Sequence, residues 1–258
     1  MLRTVSELCA FTLEATDGPI GAPRDVYFDD STWTVRFIVA RTGEPQAERD
    51  VLVAPRAIKL VDASAGILAT SLTRQQVKNS PRVDTHKPVS RQHELEQYEY
   101  YGFPFYWGEP SLWTNASLGL PGTSADQEKF VTGQQALHHA RGDDPHLRSC
   151  RALSRYHLHA NDGDIGHIED VIVDDETWMI RYLIVNTSDW WLGHRMLVAP
   201  RWISEISWLE ATVAVNLTRQ AIRTAPPFDP AKLPDRLYEA RLFNHYGQPA
   251  YWSDIEAS

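Results

Sequence analysis

Asp17-Gly18-Pro19-Ile20-Gly21 and, 145 residues further on, Asp162-Gly163-Asp164-Ile165-Gly166 form the stretch that decides the fold, because the same offset is kept along most of the chain. Asp25-Val26-Tyr27-Phe28-Asp29-Asp30 returns as Asp170-Val171-Ile172-Val173-Asp174-Asp175, and Thr32-Trp33-Thr34-Val35-Arg36-Phe37 as Thr177-Trp178-Met179-Ile180-Arg181-Tyr182. Leu52-Val53-Ala54-Pro55-Arg56 recurs unchanged at Leu197–Arg201, and Leu72-Thr73-Arg74-Gln75 at Leu217–Gln220. Tyr101-Gly102-Phe103-Pro104-Phe105-Tyr106-Trp107 closes the series against Tyr246-Gly247-Gln248-Pro249-Ala250-Tyr251-Trp252. A register held from about residue 8 to 107 without net insertion identifies a tandem repeat.

The local signals are those of short strands. Each Asp-Gly pair is turn chemistry, since Gly accepts positive φ and Asp bonds its own backbone, so the flanking segments are expected to pair antiparallel. Trp33, Val35, Phe37 and Val39 alternate with Thr34, Arg36, Ile38 and Ala40, the period of a strand, and Trp178, Ile180, Tyr182 and Ile184 repeat that face. Further strands are expected at 51–54 and 66–70. A helical turn follows, with Thr73 and Gln76 spaced for a capping box and ended by Pro81, or by Pro226 in the second copy. A second helix is expected over 93–101 and over 235–246, before each aromatic tail. The fold class is therefore mainly β: two small β-barrels in tandem, each followed by a short helix and an aromatic tail. The expected domains are 1–108 and 150–258. The intervening 109–149, rich in Pro, Gly, Ser, Asp and His, reads as a linker with a short helix around 134–141.

The bulk numbers limit the function. A chain of 258 residues suits two domains, and a hydrophobic fraction of 43% with 23% charged residues is ordinary for a folded protein. The net charge of -9 disfavours nucleic acid as the main partner. Cys9 and Cys150, the only cysteines, fall opposite Ser154 and Val5 in the repeat, so neither belongs to the shared plan. That usage fits a reducing, cytoplasmic compartment. No apolar run is long enough to span a bilayer.

The ordered set Asp-Gly-x-Ile-Gly, Asp-Val-x-x-Asp-Asp, the Thr-Trp strand and Leu-Val-Ala-Pro-Arg, present twice over roughly 8–80 and 153–225, resembles the PRC-barrel family. That family takes its name from the cytoplasmic domain of the photosynthetic reaction-centre H subunit, and it recurs at the C-terminus of a ribosome-maturation factor. The resemblance implies a small barrel used for docking. The chain departs from the H subunit in lacking a membrane helix, and from the maturation factor in that both halves are PRC-like. Reaction-centre assembly and ribosome maturation are therefore analogies, not functions carried over.

Asp29-Asp30 and Asp174-Asp175 sit at a strand-to-turn junction and read as solvated turn residues rather than acid–base pairs. Arg36 and Arg181 are expected to pair with a shared aspartate such as Asp25 or Asp170. His157 and His159 share a strand face with His167 across the turn, but the first copy has Thr12, Glu14 and Ala22 there, and no metal site is assigned. No phosphate loop, nucleophile elbow or zinc-protease helix occurs, so no catalytic residue and no cofactor is assigned. The aromatic tails (Tyr101, Phe103, Phe105, Tyr106, Trp107; Tyr246, Tyr251, Trp252) either contact a partner or subunit or pack on a barrel. Trp190-Trp191-Leu192, facing Pro45, Gln46 and Ala47 of the first copy, is a loop-tip contact candidate. The expected function is a non-catalytic adaptor or assembly module binding protein or associating with itself, with a homodimer possible. The alternative is a small-molecule or metal site at the junction of the barrels.

Overall fold

The computed structural model describes residues 1–43, 48–81, 97, 98, 100–102, 146–187 and 194–252. It is mainly β, with two seven-stranded sheets built to one plan. In the first, β2 (Thr12–Ala15), β3 (Gly18–Asp29), β4 (Thr34–Thr42), β5 (Arg49–Val53), β6 (Ile58–Asp62) and β7 (Ile67–Thr70) run in the order β5-β4-β3-β2-β7-β6. In the second, β9 (His157–Ala160), β10 (Gly163–Asp174), β11 (Ile180–Asn186), β12 (Arg195–Val198), β13 (Ile203–Ser207) and β14 (Thr212–Val215) run β12-β11-β10-β9-β14-β13. The β2–β7 and β9–β14 pairs are parallel. Both hydrogen-bonded paths are open among the described residues, each with two edge strands.

The seventh strand of each sheet comes from the other copy. β1 (Leu2–Thr4) pairs with β10, Arg3 opposite Val173, while β8 (Leu147–Ser149) pairs with β3. Each arm strand leads into a short helix, α1 (Val5–Cys9) or α3 (Cys150–Leu153), capped by Thr4 or Ser149. The exchange is held by residues 145 apart. Arg3 Nε donates to Asp175 at 3.2 Å and Arg148 Nε to Asp30 at 2.9 Å. Asp170 accepts the Ser6 N–H, and Asp25 accepts the Ser149 hydroxyl at 2.6 Å and the Arg151 N–H at 3.1 Å. The last residues of the expected linker are thus a strand. Its remaining residues to 145, including the helix expected over 134–141, lie outside the described residues.

The chain forms two compact units that divide it differently from the repeat. One gathers Met1–Phe11, Asp25–Arg36 and Arg148–Ser258, the other Thr12–Arg24 and Phe37–Leu147. In the first, Leu8, Val26, Phe28, Leu153, Leu158, Ile168, Val171 and Tyr182 are buried. In the second, Leu13, Phe37–Ala40, Val51–Val53, Leu68 and Val77 are buried. Removing each large side chain of these sets from water contributes about 1.5–3 kcal/mol. The strict alternation expected along β4 stops at Phe37, because both faces of the strand are covered from there to Ala40.

Two local features explain the shared motifs. Trp33 and Trp178 do not lie in the strands as expected: they occupy the left-handed region, at φ 55° and 57°, as the last residues of their hairpin turns. Each donates its N–H to Asp29 O or Asp174 O at 2.7 Å. Such a conformation costs a bulky residue about 1–2 kcal/mol. It is offset where the two turns meet: Val35 N–H bonds Trp178 O, and Ile180 N–H bonds Trp33 O, both at 2.8 Å. The second Gly of Asp-Gly-x-Ile-Gly is needed for close approach, since a Cβ on Gly166 would lie 2.0 Å from Asn186 O and one on Gly21 1.9 Å from Arg41 O.

The helical expectations hold where they are described. The capping box forms between Thr73 and Gln76 at the start of α2 (Arg74–Asn79). Its second-copy counterpart is α4 (Arg219–Arg223), and the tail helix is α5 (Arg236–His245).

Candidate functional site

Among the tail residues named above, the second copy's Tyr246, Tyr251 and Trp252 are described and packed against their own unit. α5 is capped by Asp235, whose carboxylate accepts the Tyr238 N–H at 2.7 Å. Its buried stripe is Glu239, Leu242 and Phe243. The helix is stopped by Gly247 at φ 61°, where the Gln248 N–H bonds Phe243 O and the Gly247 N–H bonds Asn244 O. This two-bond termination needs a left-handed residue, which explains Tyr-Gly in both tails. It turns the chain back, so that Tyr251 and Trp252 lie against Phe243, with ring centroids 6.2 and 5.5 Å away.

The centre of this cluster is Glu239, 3% exposed. One carboxylate oxygen accepts the Tyr182 hydroxyl at 2.7 Å and the Tyr251 hydroxyl at 2.9 Å, while the other is 3.2 Å from Arg236 Nη1. Arg181 lies over the Tyr251 ring at 4.2 Å and Arg236 over Trp252 at 4.2 Å. Trp202 closes the far side against Phe243 and Tyr246 at 5.3 and 4.8 Å. Burial, reinforced by the Glu239 charge, pushes the Tyr251 phenol up to about 12 and Tyr182 upward as well. Both phenols therefore remain neutral donors, and the cluster is a docked lock for the tail. Tyr251 and Trp252 are half-buried, so part of each side chain remains accessible to solvent. Sequence reading missed Glu239, Tyr182 and Arg236. The usable signal was Glu239 lying three and four residues before Leu242 and Phe243, on the apolar stripe of a helix.

In the first copy Tyr101 is half-buried beside Tyr100, ring centroids 5.0 Å apart, and Tyr100 Oη donates to Gln76 O at 2.8 Å. Burial raises the Tyr101 phenol against an opposing Ser80 hydrogen bond. Phe103, Phe105, Tyr106 and Trp107, and the loop Trp190-Trp191-Leu192, lie outside the described residues.

The paired acids are turn residues, but they are not solvated. Asp29, 7% exposed, accepts from Ser31 N–H at 2.9 Å, Thr32 N–H at 3.1 Å and Arg36 Nη2 at 3.2 Å. Asp174 accepts from Thr177 Oγ1 at 2.8 Å and Arg181 Nη2 at 3.1 Å. Burial alone would raise both carboxyls, but these donors outweigh it and hold them below the usual range. The arginines thus pair with the turn aspartates and not with Asp25 and Asp170, which hold the arms and which burial raises.

Cys9 and Cys150 are free thiols. Burial beside Asp25 and Asp170 pushes Cys9 up to about 12 and Cys150 well above its ordinary value, so neither is poised as a nucleophile. Of the histidines, His157 is opposite His167, and His159 Nδ1 is 2.5 Å from Asp164 Oδ1. Among the described residues, no three His, Cys, Asp or Glu side chains converge as a metal site, and no helix is long and apolar enough to cross a membrane. No protein-family model matches the chain, and no curated protein matches it.

Proposed function

We propose that the chain is a non-catalytic adaptor or assembly module of the tandem PRC-barrel kind, working in the cytoplasm and binding protein partners or a second copy of itself. The observation that supports this reading is what the shared acids do. Asp25 and Asp170 hold the exchanged arms, while Asp29 and Asp174 hold the strained turns through Arg36 and Arg181. The chemistry common to both copies is thereby committed to construction, which leaves recognition to the residues in which the copies differ. Trp190, Trp191 and Leu192 stand where the first copy has Pro45, Gln46 and Ala47, and the half-buried Tyr251 and Trp252 add aromatic area of the type that anchors interfaces.

The test is affinity capture from native lysate with the full chain and with Trp190→Ala/Trp191→Ala. A partner retained by the first and lost by the second is expected. An unchanged partner set removes this loop as the contact.

A further inference from the structure

The second copy carries a histidine pair that the adaptor reading does not use. His157 on β9 and His167 on β10 are register partners. The adjacent Ile168 N–H donates to Tyr156 O at 2.9 Å, which makes 157/167 the non-hydrogen-bonded kind of antiparallel pair, in which side chains stand closest. Their Cβ atoms are then about 4.5–5.5 Å apart on the same face of the sheet. His157 is exposed and His167 half-buried, while Leu158, Ile165 and Ile168 point into the core. Both histidines therefore stand on the face of the sheet opposite that core. Imidazoles carried on Cβ atoms at this separation can reach one ion at ordinary nitrogen–metal distances of about 2.0–2.1 Å. His159, two residues along the same face, is engaged with Asp164, and Glu169, two residues beyond His167, with Arg195 at 2.7 and 2.9 Å. The first copy has Thr12 and Ala22 at the positions of the pair, so the fold does not require it.

We propose that His157 and His167 chelate one divalent transition-metal ion of the imidazole-preferring class on the solvent face of β9 and β10, with water completing its coordination. Hard cations that prefer oxygen donors are not held by this pair. Among first-row metals, affinity follows the usual order, with Ni2+ above Co2+ and Mn2+.

The experiment is calorimetric titration of the full chain with Zn2+, Ni2+ and Mg2+, each alone, at neutral pH. It is repeated on His157→Thr and His167→Ala, which install the first copy's own residues. Far-UV circular dichroism and thermal midpoint establish that both variants fold. The expected result is one Zn2+ or Ni2+ equivalent in the parent, absent with Mg2+, and weakened about tenfold or more by either substitution. The proposal is overturned if the parent takes up neither Zn2+ nor Ni2+ below about 1 mM. It is equally overturned if either substitution leaves the affinity for that equivalent unchanged.

Discussion

Glu239→Ala removes the acceptor at the centre of the tail lock, and its cost can be worked from the three groups it holds. Tyr182 is 0% exposed, so its hydroxyl loses its acceptor with no water in reach, at about 1–3 kcal/mol. Tyr251 is half-buried and can turn its hydroxyl to solvent, losing about 0.5–1 kcal/mol. The Arg236 side chain is 58% exposed and rehydrates, so its ion pair adds at most about 1 kcal/mol. The sum is about 1.5–5 kcal/mol of destabilisation. Glu239→Gln, which keeps an acceptor oxygen for both phenols, is expected to cost about 1 kcal/mol. A double-mutant cycle with Tyr182→Phe isolates the hydrogen bond, and the partner substitution is mild because the first copy has Phe37 at that place. Urea unfolding followed by circular dichroism, with m unchanged across the set, supplies the free energies. A coupling of about 1–2 kcal/mol is expected, and additivity within about 0.5 kcal/mol would refute the lock.

Two further outcomes follow from the backbone and the buried acids. Gly166→Ala places a methyl group 2.0 Å from Asn186 O at a φ of +146°, and is expected to destabilise by about 3 kcal/mol or more. A urea midpoint within experimental error of the parent's would show that the two strands separate freely there. For pH, Asp25 and Asp170 have folded values raised above 3.8 by burial, so their burial cost is full at neutral pH and is relieved as pH falls through those values. Asp29 and Asp174 are depressed below 3.8, so their contribution persists until the solution is more acid than that and is then lost. Stability is accordingly expected to peak on the acid side of neutrality. Asp25→Asn with Asp170→Asn should flatten the acid-side rise, and a rise persisting in that double variant would assign it to other groups.

The sheet plan was legible in the sequence wherever it depends on neighbours along the chain. The Asp-Gly turns, the capping box at Thr73 and the tail helix all follow from local chemistry, and each appears where expected. What escaped was set by partners far away. Trp33 and Trp178 fit a strand pattern, and their left-handed backbone is supported by the carbonyl-to-amide bonding between the two turns. Leu147–Ser149 reads as the end of a linker because its pairing partner β3 lies more than a hundred residues earlier. At the tail, the aromatic residues announced themselves, but Glu239 is an ordinary charged helix residue until Tyr182, from strand β11, is brought against it. Asp29 and Asp174 likewise look solvated until Arg36 and Arg181 are folded over them.

The exchanged arms impose an order on synthesis. When β8 leaves the ribosome, its acceptor β3 has long been made, so the second arm docks as it appears. β1 is in the opposite position, because its acceptor residues Ile172–Asp174 are translated some 170 residues later. At about 5–20 residues per second, that is a wait of roughly ten to thirty seconds, during which Leu2–Thr4 is an unmated strand. One arm therefore waits where the other does not, and a nascent chain is vulnerable at this strand in a way that the finished protein is not.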